Sequence, residues 1–156
     1  MLAAGSAPAA PEGETLKLNF GQFYVLGSYS KRSCAAQATL RSDKGQRVGF
    51  SVYWVPGRAL HLLTTHPGYS SVDGKQQVRF RFPDGKAMTF AMKRSGNSLQ
   101  TNIGFGLQAK AFYRQIDSNP GLRIEIPVVG DAVDVDLGRR REVEAAMRHC
   151  RDWLKS

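Results

Sequence analysis

Apolar and polar residues alternate with period two through much of this chain, and that alternation limits its possible folds more than any other feature. In Val78-Arg79-Phe80-Arg81-Phe82 the apolar set is Val78, Phe80 and Phe82, with both arginines on the other side. Successive side chains of a pleated strand point to opposite faces, so the segment reads as a half-buried strand. The same pattern runs through Val48, Phe50, Val52 and Trp54, through Leu60, Leu62 and Thr64, through Met88, Phe90 and Met92, and through Leu122, Ile124 and Ile126. A further strand from Ala132 to Leu137 turns Val133, Val135 and Leu137 inward and leaves Asp134 and Asp136 outside. Turn-forming residues separate these runs, at Ser42-Asp43-Lys44-Gly45, Pro56-Gly57, Val72-Asp73-Gly74, Pro83-Asp84-Gly85, Ser95-Gly96-Asn97 and Val129-Gly130-Asp131. Parallel pairing needs longer crossovers than most of these gaps allow, so the strands are predicted to be antiparallel.

Two segments depart from the strand pattern. Leu107 to Ile116 places Leu107, Ala111, Phe112 and Ile116 at helical spacing before the stop at Asn119-Pro120-Gly121. Arg139 to Lys155 carries a clearer stripe of Val143, Ala146, Met147, Cys150 and Leu154, entered through Gly138. The expected fold is therefore α+β: an antiparallel β-sheet or β-sandwich of about seven to nine strands with a C-terminal helix packed on it. Residues 1–15 read as a flexible N-terminal segment and 16–156 as one β-rich globular domain, a size that can bury a real core. The opening MLAAGSAPAAPEGE has neither the basic nor the apolar region of a signal peptide, so the chain is either cytoplasmic or a mature form whose leader was removed.

The two cysteines bear on that choice. Cys150 lies on the apolar stripe of the last helix, and Cys34 opens an apolar stretch that reads as a strand. A bridge between them would close a loop of roughly 115 residues, worth about 4 to 5 kcal/mol in the chain-entropy account. It would also place the protein in an oxidising compartment. The alternative is two unrelated buried thiols, since free cysteine is among the most buried residue types.

The net charge is +9 and unevenly spread. From Lys17 to Arg114 there are fifteen lysines and arginines against Asp43, Asp73 and Asp84, and beyond Gln115 the signs nearly cancel. Such a field concentrates anionic partners without identifying them: nucleic acid, anionic lipid, cell-wall polymer or acidic protein. Arg79, Arg81, Lys86, Lys93 and Arg94 are the candidate contacts, and Tyr53 and Tyr69 would serve as stacking surfaces if the partner were a nucleic acid. Arg139-Arg140-Arg141 opens a helix, where positive charge opposes the dipole, and points either to a partner or to pairing with Asp134 and Asp136.

Catalytic chemistry finds little footing. His61, His66 and His149 have no metal-ligand spacing, and no metal or cofactor is expected. Ser70 and Ser71 near His66 lack a Gly-x-Ser-x-Gly context, and Gly104-Phe105-Gly106 lacks the lysine and third glycine of a phosphate loop. The one enzyme hypothesis is a thiol nucleophile at Cys34, activated by Lys31 and Arg32.

The closing third runs Val133-Asp134-Val135-Asp136-Leu137-Gly138, then Val143, Ala146, Met147 and Cys150 on a helix. With Cys34 opening a strand, this resembles small periplasmic proteins of alphaproteobacteria similar to the invasion-associated locus B family. The resemblance implies an envelope protein with a β-sandwich body and supplies no catalytic residues. The leading expectation is a non-enzymatic periplasmic, envelope-associated binding protein whose basic sheet face meets an anionic envelope component or acidic protein. The alternatives are a cytosolic nucleic-acid-binding module and a thiol enzyme using Cys34.

Overall fold

The computed structural model describes residues 15–54, 60–104 and 106–155. Ten strands form one antiparallel sheet: β1 (Thr15–Phe20), β2 (Phe23–Ser28), β3 (Ser33–Arg41), β4 (Arg47–Trp54), β5 (Leu60–Thr65), β6 (Lys75–Arg81), β7 (Ala87–Ser95), β8 (Ser98–Gly104), β9 (Gly121–Ile126) and β10 (Asp131–Asp136). Helix α1 (Leu107–Ser118) follows β8, and α2 (Arg140–Lys155) ends the chain. The fold is α+β as the pattern predicts, with ten strands where about seven to nine were expected; β1, β2 and β8 are the ones that neither the alternation nor the Cys34 stretch marked. The expected flexible segment lies outside the described residues except for Thr15, which opens β1. The Pro56-Gly57 turn and Phe105 also lie outside them.

Spatial order is β1-β2-β3-β4-β5-β8-β7-β6-β9-β10. Phe50 of β4 and Phe80 of β6 are four places apart in this order, yet their ring centroids are 5.9 Å apart. The sheet therefore folds over on itself, as a half-buried sheet must if its apolar face is to leave water. Phe80 also meets Phe90 at 5.5 Å and Phe112 of α1 at 5.6 Å, both edge to face, the arrangement that aromatic quadrupoles favour. The inward sets predicted for β6, β9 and β10 are all buried, while Leu60, Val52 and Met88 are only partly covered.

Helix α2 closes the open side of β1–β3. Ala146, Cys150, Trp153 and Leu154 are buried, with Val143 and Met147 half-buried along one edge of the predicted stripe. Cys34 and Cys150 are bridged, with sulfurs 2.02 Å apart and Cα atoms 6.2 Å apart. The helix comes so close to β2 that a Cβ on Gly27 would stand 2.6 Å from the Cys150 Sγ. At its far end Arg32 Nη1 donates to the Leu154 carbonyl at 2.8 Å, placing a cation where the helix dipole is negative. Arg32 has a positive φ of 52°, a conformation that a non-glycine residue holds at some cost. Among the described residues no helix is long and apolar enough to cross a membrane.

The α1 stripe differs from expectation. Ala109, Phe112 and Gln115 are buried, whereas Leu107 is 86 % exposed because it opens the helix beyond the reach of the core.

Candidate functional site

The sheet face expected to be basic is formed by β6 and β7. Lys75, Gln77, Arg79 and Arg81 point outward on β6, and Ala87, Thr89, Ala91 and Lys93 do so on β7. Their register places Lys75 directly opposite Lys93, two like charges whose juxtaposition is unfavourable. Neither makes an ion pair among the described residues. Arg79 and Arg81 share one carboxylate, Glu125 of β9, at 3.8 and 3.3 Å. Both arginines remain close to half exposed, so these contacts leave most of their charge available to solvent. Lys86 sits beside the face in the β6–β7 turn, its amide bound to Asp84.

Two candidates fall elsewhere. Arg94 adjoins Lys93 and therefore points to the other side of the strand, half-buried, with Nη1 donating to the Gly96 carbonyl at 3.0 Å. Tyr69 is fully buried against Thr64, and burial pushes its hydroxyl up to about 12, so it presents no ring for stacking. Tyr53 lies on β4, away from β6 and β7, accepting a hydrogen bond from Gln37. The arginine triplet also finds other partners: Arg139 pairs with Glu142, and Arg140 donates to the Asp117 and Leu137 carbonyls. Asp134 and Asp136 do not meet it, because Asp134 binds Arg123 and Asp136 accepts from the Gly138 amide. Arg123 also reaches Asp43, across to the β3–β4 turn.

Cys34 is fully buried and bridged, so the oxidised protein holds no thiolate there, and Arg32 is committed to Leu154.

Composition gave no sign of a buried polar knot centred on Asp131, the first residue of β10. Its carboxylate accepts from Ser42 Oγ, from the Lys44 and Ala132 amides and from His66 Nε2 at 2.9 Å. His66 Nδ1 accepts the Gly68 N–H, which leaves Nε2 carrying the hydrogen donated to Asp131. Because the Ser42 hydroxyl donates to the carboxylate and not to the imidazole, Ser42 and His66 are not arranged as a hydroxyl–imidazole pair. The knot instead ties β10 to the turns after β3 and β5. Ser70 and Ser71 hydrogen-bond back within their own short turn.

Burial alone would raise the Asp131 carboxyl, but these hydrogen bonds outweigh it and hold the group at about 2. A depressed folded pKa stabilises the fold above the unfolded value of 3.8 and is lost as pH falls towards 2. Urea unfolding of the native chain should therefore lose about 2 kcal/mol between pH 4 and pH 2 beyond what an Asp131→Asn variant loses. Equal losses in the two proteins would show that Asp131 is not the group titrating.

A third feature is a cleft of about 410 Å³ between α1, α2 and the inner face of β2–β5. Phe23, Phe50, Val52, Phe112, Ile116, Val143 and Met147 line its walls, and Asp117, Arg140, Glu144, Arg148 and Arg151 stand among its lining residues. Glu144 has a raised pKa because of burial, helped by its hydrogen bond to Asp117 and the repulsion between the two acids. Burial likewise pushes the Tyr113 hydroxyl up to about 12, against the pull of Arg151. An adjoining open hollow of about 460 Å³ shares Leu60, Tyr113 and Asp117 and adds Lys110 and Arg114.

Among the described residues no group of three or more His, Cys, Asp or Glu is placed to hold a metal ion. No family model matches the chain, and comparison with curated proteins and with solved structures likewise gave no match.

Proposed function

We propose that the protein is a non-enzymatic, envelope-associated binding protein of an oxidising compartment such as the periplasm, engaging an anionic partner through the outer face of β6 and β7. The observation that carries this reading is the opposed pair Lys75 and Lys93, with Arg79 and Arg81 further along the same face of β6. Two cations facing each other, with no ion pair to either among the described residues, cost folding energy, and an external anion offsets that cost. The buried bridge favours an oxidising compartment. The resemblance to periplasmic proteins of the invasion-associated locus B type points the same way. An acidic protein and an anionic polymer are both consistent with the face.

Lys75→Glu discriminates between a binding role and an ordinary solvated surface. It converts the like pair into a cross-strand Glu–Lys pair and should stabilise the fold by about 0.2 to 1 kcal/mol. Association with envelope fractions or anionic vesicles should weaken, and the triple variant with Arg79→Glu and Arg81→Glu should not associate. Unchanged association of the triple variant would mean that this is the wrong face. A steep fall of affinity for single-stranded nucleic acid with salt, with no affinity for vesicles, would favour the nucleic-acid alternative.

A further inference from the structure

Ala35 of β3 and Ser51 of β4 alternate with core residues and so point away from the core, yet they are only 3 % and 6 % exposed. Two half-buried tyrosines account for this cover. Tyr24 of β2 donates to Gln37 Oε1 at 2.7 Å, and Gln37 Nε2 donates to the Tyr53 hydroxyl at 3.2 Å. Both rings are thus drawn down over the sheet towards one glutamine of β3, Tyr53 from the position opposite Ala35. Lys17 lies over the Tyr24 ring, 4.9 Å from its centroid, and occupies it. Among the described residues no ring or cation stacks on Tyr53, which leaves its ring as a fixed aromatic platform on the outside of the sheet.

The surroundings of this platform are polar but uncharged at close range, and positive further out. Tyr53 is registered opposite His61, and His61 opposite Asn102, with Gln37 on the other side. Among the described residues no lysine or arginine is registered beside Tyr53. Lys17 stands in the same cross-strand row, through Leu26 and Ala35. The next row runs unbroken from Gln37 through Ser51, Leu63 and Gln100 to Lys93, and on to Lys75. Lys17 on β1 and Lys93 on β7 are each three strands from Tyr53 on β4, about 14 Å to either side at the usual strand spacing.

A stacking surface among amide and imidazole groups, with positive charge at both ends, is complementary to a sugar chain that carries acidic groups at intervals. The C–H face of a sugar ring is apolar and weakly positive, and meets the negative face of a tyrosine ring. Sugar hydroxyls both donate and accept, as the amides do. A nucleic-acid strand would bring a phosphate alongside every stacked base, and the described residues beside Tyr53 supply no cation for it.

We propose that this outward face binds an acidic polysaccharide laid across the strands, with a neutral sugar on Tyr53 and carboxylates at Lys17 and at the Lys75 and Lys93 pair. The assignment rests, for its Lys93 end, on the reading of β6 and β7 as an anion-binding face, and it names the partner of that face.

Calorimetric titration of the full, bridged chain with hyaluronan oligosaccharides, in which acidic and neutral sugars alternate, and with neutral chitin oligosaccharides of equal length tests this. The acidic chain should bind at least about tenfold more tightly at low salt, and its advantage should shrink as salt is raised. Affinity should rise with length until the chain spans the six strand spacings from Lys17 to Lys93, about 29 Å. Tyr53→Ala should weaken both chains about tenfold, and Tyr53→Phe, which keeps the ring, should recover most of that loss. Lys17→Gln with Lys93→Gln should abolish the advantage of the acidic chain and leave neutral binding unaltered. Both lysines are exposed, so this variant decides the matter even if Tyr53→Ala fails to fold. Binding to anionic vesicles or envelope fractions without binding to hyaluronan would overturn this proposal and leave the reading of β6 and β7 in place, whereas binding to none of the three would remove both. Hyaluronan affinity unchanged in the folded tyrosine and lysine variants, or tighter binding of single-stranded DNA of equal length at the same salt, would also overturn it.

Discussion

Replacing Cys34 and Cys150 together by alanine should lower the unfolding free energy by about 5 kcal/mol, the chain-entropy value for a loop of this length. The bridge spans a sequence separation of 116 residues, so the unfolded chain it constrains is most of the described protein. Against a usual total of roughly 5 to 15 kcal/mol, that is a third or more of the stability. The measurement is urea unfolding of parent and double variant, read as a shift in midpoint. A difference below about 1 kcal/mol would show that the bridge adds little to a core already complete. The fold should nonetheless survive its loss, because Ala146, Trp153 and Leu154 remain buried and Arg32 still holds the Leu154 carbonyl. Gly27 supplies an internal check. Gly27→Ala places a methyl group against the Cys150 sulfur in the bridged protein, and its cost should fall once that sulfur is gone, a non-additivity that a double-mutant cycle reads directly.

The second large effect is expected at Asp131. Asp131→Ala removes the acceptor of two amides, a serine and a histidine, all in a buried setting, and should destabilise by about 3 to 5 kcal/mol. Because Asp43 N still donates to the Ala132 carbonyl at 2.9 Å, the contact between the β3–β4 turn and β10 should loosen without coming apart. Amide hydrogen exchange should therefore quicken first at Lys44, Gly68 and Ala132, with the centre of β4 and β6 still protected. Uniform acceleration throughout the sheet would assign Asp131 to global stability alone.

How much of this was legible in the sequence depended on whether packing respects periodicity. Strands β6 and β9 separate their apolar and polar faces cleanly, and β10 does so from Val133 onward, so their buried residues follow the alternation there. Strand β2, Phe-Tyr-Val-Leu-Gly-Ser, hides its period because outward Tyr24 and Leu26 are apolar or aromatic and half-covered. In β8 the inward positions are Leu99, Thr101 and Ile103 among polar neighbours, too few apolar residues to reveal a pattern. The pairing of Cys34 with Cys150 was accessible because helical spacing turned one sulfur inward. Lys93 and Arg94 illustrate the converse: adjacent residues on a strand cannot share a face, so only Lys93 belongs with Arg79 and Arg81. Asp131 gave no signal, since a carboxylate in a turn sequence is ordinarily solvated and its four donors come from three separate parts of the chain. The cleft was equally silent, being a space left between elements that each look ordinary.

The bridge has a consequence for how the protein is made. With two cysteines in the chain, there is one possible intramolecular pairing and no isomer to sort. Cys34 is synthesised well before Cys150, so the bond between them waits until the helix that carries Cys150 has been made. Its competitor before that moment is the early thiol of a second unfinished copy.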